Sequence, residues 1–233
     1  LDKASRPLVS LVDKYLPDPY LFVIILTLLS FIAAMVFEGH GPMAVINMWG
    51  DGFWNLLTFS MQMLLVLVTG FMLASTPLVR GILNRIAGLA KTPGQAIVLV
   101  TFVALIASWI NWGFGLVVGA LFAKALARQI RVHYPLLIAS AYSGFVVWHG
   151  GLAGSIPLTI ATDGHFTEDV IGIIGTSETI FAFFNLAIVA ALFIVVPLVN
   201  RLMLPEERES VYADPKVLDD EPDNAVVINR PAD

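Results

Sequence analysis

The sequence predicts an all-helical, polytopic membrane protein, and three observations lead to this fold class. Of the 233 residues, 58% are hydrophobic and 13% are charged, compared with about 45–50% and about 25% in soluble globular domains. Five stretches without Asp, Glu, Lys or Arg are close to or longer than the roughly 20 apolar residues that a spanning helix needs. The basic residues lie in only some of the segments between these stretches, which is typical of a chain inserted with one orientation.

The five uncharged stretches cover residues 19–37, 52–79, 92–123, 132–162 and 179–200. We predict four spanning segments plus one re-entrant hairpin, namely spans over about 20–37, 53–76 and 179–200, the hairpin over 95–126 and a broken helix over 134–161. Residues 202–233 are rich in acidic residues and proline. They are predicted to form a poorly ordered, acidic cytoplasmic tail or an inter-repeat linker.

The positive charges predict how the chain is oriented. The 13 Lys and Arg residues lie before the first stretch, on both sides of the third, and after the fifth. The segments after the first and fourth stretches carry acidic residues and histidine but no Lys or Arg. Because Lys and Arg collect on the cytoplasmic side, we expect both termini to be cytoplasmic. The third stretch must then begin and end on that same side.

The third stretch is interrupted by Asn111-Trp112-Gly113-Phe114-Gly115. As one straight helix, residues 92–123 would measure about 48 Å, which exceeds the hydrocarbon core of about 30 Å. Such a helix would also place its two basic flanks on opposite sides. A re-entrant hairpin with arms 95–110 and 116–126 avoids both problems. Residues 111–115 would form its tip, and Gly113 and Gly115 would allow the turn.

The fourth stretch is interrupted by His149-Gly150-Gly151-Leu152-Ala153-Gly154-Ser155. Its predicted half-helices are 134–148 and 156–161. Two glycine-interrupted segments in one small membrane unit indicate the site of a secondary transporter. The physical reason is that half-helix ends at membrane depth offer unpaired N–H groups to an anion and carbonyl groups to Na⁺.

These breaks contain the predicted substrate-binding residues: Asn111, Trp112, Gly113, Gly115, Gly150, Gly151, Gly154 and Ser155. Each has a structural alternative. Asn111 could cap a turn, the glycines could let helices pack, and Ser155 could bond its own backbone. His149 is either a proton-coupling group or a neutral side chain bonded to a carbonyl. Trp109, Trp112 and Trp148 flank the breaks, either as walls of an acyl-chain pocket or as ordinary packing.

The sequence does not support an enzyme. It contains no cysteine, and we find no nucleophile–base pair, metal-ligand cluster or phosphate loop in it. We expect no cofactor and no nucleic-acid partner. The expected partners are a small carboxylate, the lipid bilayer, and H⁺ or Na⁺ as a coupling ion. The alternatives are a membrane-embedded structural or interaction subunit, whose hairpin only packs against a partner, and a passive channel.

Three long blocks then resemble the bacterial short-chain fatty acid transporter family: Met48–Leu57, Ile110–Ala120 and Gly150–Leu158. The resemblance implies uptake of small monocarboxylates such as acetoacetate or butyrate across the inner membrane, and we expect the mechanism to be alternating access. It also implies membership of the wider ion transporter superfamily. Transporters of that group are built from two inverted repeats, each with a re-entrant hairpin and a broken helix.

The resemblance covers only the N-terminal half of family members. A single repeat would lack half of the binding site. The chain is therefore expected to be a fragment, a product that needs a second transporter half, or a chain that associates with itself. The hairpin tip reads Ser108-Trp109-Ile110-Asn111-Trp112-Gly113, whereas anion-transporting superfamily members carry a Ser-Asn-Thr type signature there. Their ion-site residues therefore cannot be transferred to this chain.

Overall fold

The computed structural model describes residues 18–55, 57–165, 167–214 and 218, and none of these residues lies in a strand. The all-helical prediction is confirmed. The α-helices are α1 (Pro19–Phe37), α2 (Pro42–Asn55), α3 (Leu57–Ala74), α4 (Pro77–Ala87), α5 (Pro93–Ile110), α6 (Trp112–Gln129), α7 (Tyr134–Ser143), α8 (Ser155–Ile160), α9 (Glu168–Ile171) and α10 (Phe183–Leu202). Two 3-10 helices cover Gly144–Gly150 and Glu207–Glu209.

Several of these helices have the length and composition of membrane-spanning helices. Within the described residues, the segments long and apolar enough to cross one are Tyr20–Phe37, Pro93–Ile110, Tyr134–Ile160 and Phe183–Leu202. A further candidate is the pair Leu64–Ala74 and Pro77–Ala87, whose axes meet at 65°. The chain is therefore a polytopic helical membrane protein, as predicted. The orientation of its segments and the boundary at residue 202 stay predictions.

The chain divides into two compact units, Leu1–Val66 and Leu67–Asp233. In the first unit, the Asp18 carboxylate caps α1 by accepting a hydrogen bond from the Tyr20 N–H at 2.8 Å. Helix α1 contacts α2 through the rings of Phe31 and Trp49, whose centroids lie 6.2 Å apart. None of the spanning window of α1 is buried, which suits a helix that faces lipid.

Helix α5 is the centre of the second unit, where it packs against α6, α7, the first 3-10 helix and α10. Its buried residues are aliphatic or small: Ala96, Ile97, Val100, Thr101, Ala104, Leu105, Ala107 and Ser108. Lipid is as apolar as leucine, so close packing rather than hydrophobic burial holds such helices together. Gly144 shows how close the approach is, since a Cβ there would lie 2.5 Å from the Ala104 Cβ.

Helices α5 and α6 form an antiparallel hairpin that turns at the single residue Asn111. Gly115 lies against Ser108, and further from the turn Gly119 lies against Ala104. The predicted tip of residues 111–115 is thus too long. Gly113 and Gly115 are in the first turn of α6 and do not form the bend.

The two arms of this hairpin have 18 residues each, or about 27 Å. They exceed the predicted arms 95–110 and 116–126 because helix continues into the polar flanks. Thr92 caps α5 by accepting from the Gln95 N–H at 3.3 Å, and α6 runs through Lys124 to Gln129. At this length the re-entrant path depends mainly on the basic flanks, and it stays a prediction.

The broken helix changes from an α-helix to a 3-10 helix before it ends. It is α-helical only to Ser143, not to residue 148 as predicted, and continues as the 3-10 helix Gly144–Gly150. The chain is extended at Gly151, with φ −98° and ψ 176°. Helix α8 begins at Ser155 after Gly154. The interruption therefore falls inside the predicted residues 149–155.

Two segments differ from what the sequence predicts. Residues 80–91 are read from the sequence only as a basic connection, because Arg80 and Arg85 end an uncharged stretch, yet residues 77–87 form α4. The start of the predicted poorly ordered tail is also held by hydrogen bonds in the structure. The Val211 carbonyl accepts from the Tyr134 N–H at 2.8 Å, and the Val211 N–H donates to His133 Nδ1 at 3.0 Å.

A buried polar cluster joins three helices at Asn200. The Asn200 amide of α10 donates to Thr101 Oγ1 of α5 at 3.0 Å and to Ser143 Oγ of α7 at 2.8 Å. Thr101 and Ser143 in turn donate to carbonyls of their own helices. Asn200 is 8% exposed and Thr101 is fully buried. These bonds stabilise the packing of α10 because a buried amide without hydrogen-bond partners is costly.

We expect Asn200→Ala to destabilise the chain by about 1 kcal/mol, because hydrogen bonds between membrane helices average ~0.6 kcal/mol and reach ~1.7. Thermal unfolding in detergent measures the loss. Ile194→Ala is the matched control, since Ile194 lies on the same helix and is exposed. Equal unfolding midpoints for Asn200→Ala and the unmodified chain would contradict the stabilising role of the cluster.

Candidate functional site

The two interruptions contact each other, so the structure brings together the two parts of the predicted site. The Leu152 N–H donates to the Trp109 carbonyl at 2.7 Å. Gly151 lies directly against the backbone of Trp109, where an added Cβ would lie 2.9 Å from the Trp109 Cα. The end of α5 and the break in the fourth stretch are therefore in direct contact.

Asn111 fixes the geometry of the hairpin turn. Its Oδ1 accepts from the Phe114 N–H at 3.0 Å, and its carbonyl accepts from the Gly115 N–H at 2.8 Å. The capping role considered for this residue is thus present. The cap leaves the side-chain NH₂ without a hydrogen bond among the described residues. Asn111 is half-buried, so these donors remain near the surface of the unit.

The glycines of α6 permit close approach. A Cβ on Gly115 would lie 2.5 Å from the backbone N and Cα of Ser108. Gly113 is buried, and a Cβ on Gly70 of α3 would lie 2.9 Å from the Gly113 carbonyl carbon. Gly113 and Gly115 therefore let neighbouring backbones approach closely, which is the packing alternative considered for them.

The break is tied to α10 by Asn185, whose Nδ2 donates to the Gly150 carbonyl at 3.1 Å and to the Ile180 carbonyl at 2.7 Å. A Cβ on Gly150 would lie 2.9 Å from the Asn185 Oδ1. At Gly154 a Cβ would lie 2.7 Å from the His149 carbonyl oxygen. The sequence alone does not identify Asn185 as part of this region, because its position beside the break depends on tertiary folding.

An aromatic cluster lies beside both breaks and consists of Trp112, Phe145 and Trp148. The Trp112 and Trp148 rings are 5.2 Å apart, and Trp148 stacks on Phe145 at 4.9 Å. Phe145 was missed in the sequence because nothing distinguishes it from other apolar residues. The indole N–H groups of Trp109 and Trp148 are buried and have no hydrogen-bond partner among the described residues. Such groups are uncommon in native structures.

His149 and Ser155 lie at the two ends of the break. The exposed His149 ring stacks on Trp148 at a centroid distance of 4.2 Å. In the described part of the chain it makes no hydrogen bond, so the carbonyl-bonded alternative is not observed. Ser155 is the first residue of α8, which has no side-chain cap. The first N–H groups of that helix therefore lack a partner within the helix.

The site combines backbone donors, amide groups and aromatic rings. Among the described residues, no group of three or more His, Asp or Glu side chains could hold a metal ion. No carboxylate belongs to the residues placed at the two breaks. This environment can accept a small anion with an apolar part, because N–H donors and indole rings adjoin each other.

The fold and the site define a polytopic membrane protein with two interrupted helices that meet. Residues 1–233 match the family described as short chain fatty acid transporter, and the chain belongs to this family. It is 47% identical over 224 residues to a "Putative short-chain fatty acid transporter" of Escherichia coli (strain K12), with 96% of this chain and 51% of that protein covered. A protein of the same description from Haemophilus influenzae (strain Rd) is 46% identical over 230 residues, with 95% and 52% covered.

The chain thus spans about half the length of the curated relatives that it matches. No solved structure matches it.

We expect Gly115→Ala to destabilise the hairpin by roughly 1–3 kcal/mol, the usual cost of overpacking, because its Cβ would collide with the Ser108 backbone. Thermal unfolding in detergent measures this cost. Gly81→Ala in α4 is the control, since no atom lies within 4 Å of its Cβ. It should leave stability unchanged or raise it. The close packing of α5 on α6 would be refuted if both variants unfolded alike.

Proposed function

We propose that this chain is one repeat of a secondary active transporter that carries short-chain fatty acids across the bacterial inner membrane by alternating access. Membership of the family supports the substrate class. The observation that carries the proposal is the hydrogen bond between Leu152 and Trp109. It joins two interrupted helices, and transporters hold substrate and coupling ion at such interruptions.

The substrate carboxylate is proposed to bind at the start of α6. The N–H groups of Phe114 and Gly115 are bonded to Asn111. The N–H groups of Trp112 and Gly113 precede them and have no partner within the helix. Together with the Asn111 NH₂ group they form a set of donors at the positive end of the helix dipole.

The short alkyl chain is proposed to lie against the rings of Trp112, Phe145 and Trp148. These rings adjoin each other, and each buried CH₂ group contributes about 0.8 kcal/mol. The contact therefore favours a small carboxylate with an apolar end, such as butyrate or acetoacetate. The second backbone break would contact the same ligand through Gly150, Gly151, Gly154 and Ser155. Transport, not catalysis, is proposed.

The other half of the site is proposed to come from a second transporter half or from a second copy of this chain. Relatives are about twice as long, and inverted repeats place substrate at the interface of two halves. The basic segments favour cytoplasmic termini. Residues 202–233 would then be an acidic cytoplasmic tail or inter-repeat linker.

We expect Asn111→Asp to reduce butyrate uptake at least about tenfold. Aspartate keeps an oxygen to cap α6 but adds a negative charge beside the carboxylate, and like charges 4 Å apart repel by roughly 4 kcal/mol at an effective dielectric constant of 20. Uptake is measured in vesicles containing this chain and the second half of the E. coli relative, with proton and sodium gradients imposed separately. Asn47→Asp, at an exposed position of α2, is the control.

The outcomes separate transport from the alternatives. Unchanged uptake in Asn111→Asp would exclude carboxylate binding at the turn. Asn111→Ala removes the side chain that caps α6. If this variant no longer assembles with the second half, the chain is a structural subunit instead. Flux that does not saturate with butyrate would identify a channel. Absence of gradient-driven uptake in the unmodified pair would refute secondary transport.

We expect His149→Gln to abolish butyrate accumulation driven by a proton gradient, because a glutamine amide cannot take up and release a proton as an imidazole can. Exchange of internal for external butyrate should continue, since exchange needs no net proton movement. His165→Gln, in the segment after the fourth stretch, is the matched control. Accumulation that survives in His149→Gln, or that follows only a sodium gradient, would exclude His149 as the coupling group.

A further inference from the structure

Helix α3 meets the hairpin turn at Gly70, a buried residue that belongs to the second unit together with the hairpin. A Cβ built on Gly70 would lie 2.7 Å from the Phe114 nitrogen and 2.9 Å from the Gly113 carbonyl carbon. Real Cβ atoms essentially never approach other heavy atoms within 3.0 Å. Both neighbours are backbone atoms, which cannot turn aside as the end of a flexible side chain can. Only glycine therefore fits between α3 and the first turn of α6.

The nitrogen that faces Gly70 is also the donor that caps α6. The Phe114 N–H donates to Asn111 Oδ1 at 3.0 Å. The 2.7 Å distance is about 0.7 Å shorter than the 3.4 Å at which ordinary contact begins. A displacement of that size exceeds the width of the range, about 2.7–3.2 Å, in which N–H···O bonds form. A side chain at position 70 would therefore disturb the cap directly.

Helix α3 has little freedom to move away from the turn. Ala74 lies one turn beyond Gly70 and is fully buried, in a hydrophobic core that also contains Val118 of α6. The chain then bends by 65° into α4, whose Leu83 and Ala87 are buried in the same core. Withdrawal of α3 would expose these contacts, so a Cβ at position 70 would displace the start of α6 instead.

We infer that α3 is a third element of the proposed transport site and that Gly70 is a positioning residue, which keeps the cap between Phe114 and Asn111 closed. The cap fixes the orientation of the Asn111 amide, so its loss would also free the Nδ2 group that is proposed to contact the carboxylate. Because the carboxylate position is part of the proposed function, this role of Gly70 rests on that proposal. A continuous helix thus sets the position of donors that belong to an interrupted one.

The first test measures butyrate uptake by Gly70→Ala and by the unmodified chain, each paired in vesicles with the second half of the E. coli relative. We expect the KM to rise about fivefold while the maximal rate is kept, because binding is weakened without a change in the later steps. The size follows from the ~1 kcal/mol that a side-chain N-cap contributes and the ~1.4 kcal/mol that corresponds to a factor of ten. Gly81→Ala is the matched control, since its Cβ meets no atom within 4 Å.

The second test follows hydrogen exchange at the Phe114 amide by mass spectrometry in the same pair, which reports on the cap without transport. Gly70→Ala and Asn111→Ala should each speed this exchange about fivefold, the same ~1 kcal/mol. The double variant should exchange no faster than either single variant, because both substitutions remove the same bond. A residue that only stabilised the fold would not show this loss of additivity.

The outcomes distinguish the role of Gly70 from the proposed function. Unchanged exchange at Phe114 in Gly70→Ala would overturn the inference and leave the proposed function in place. Faster exchange with an unchanged KM would show that the carboxylate does not bind at this turn, which overturns both. Additive effects of the two substitutions, or failure of Gly70→Ala to assemble with the second half, would make Gly70 a packing residue and overturn the inference. Unchanged exchange in Asn111→Ala would also overturn it, since the cap would then not protect Phe114.

Discussion

The rest of this structure depends on how the backbone polar groups at two helix interruptions find hydrogen-bond partners. Lipid offers no hydrogen bonds, so irregular backbone persists at membrane depth only when protein or an aqueous cavity supplies partners. The break and the end of α5 supply them to each other through the Leu152 N–H and the Trp109 carbonyl. Asn185 satisfies the Gly150 carbonyl from α10. The glycines follow from this constraint, because a Cβ at Gly151 would separate the paired backbones.

The same constraint indicates which groups are left for a ligand. The break is already bonded to α5 and α10. Among the described residues, the N–H groups of Trp112 and Gly113 have no partner and lie beside the rings of Trp112 and Trp148. Binding at that point would therefore add partners without breaking a bond of the fold. In the proposed site, Asn111 supports the turn through Oδ1 and would contact the substrate carboxylate through Nδ2.

Much of the fold was predictable because lipid imposes simple requirements on a sequence. Apolar length indicates most of the helices that are long enough to cross a membrane, and glycine runs mark the break near Gly151. The length of the turn at Asn111 was not predictable, since one extended residue and a side-chain cap replaced the expected glycine bend. Helix α4 was missed because Arg80 ends an uncharged stretch without ending helical structure. Contacts such as Asn185 with Gly150 join distant residues and leave no local signal.

The polar cluster at Asn200 has a consequence for the order in which the chain is assembled. Thr101 and Ser143 each donate to a carbonyl of their own helix, so α5 and α7 can enter the bilayer before α10 has been synthesised. The Asn200 side chain has no such local partner among the described residues and bonds only across helices. The last helix thus arrives at two hydroxyl acceptors that are already in position. Its insertion completes a site that the earlier helices prepare, which makes release of α10 into lipid before α5 and α7 have packed unfavourable.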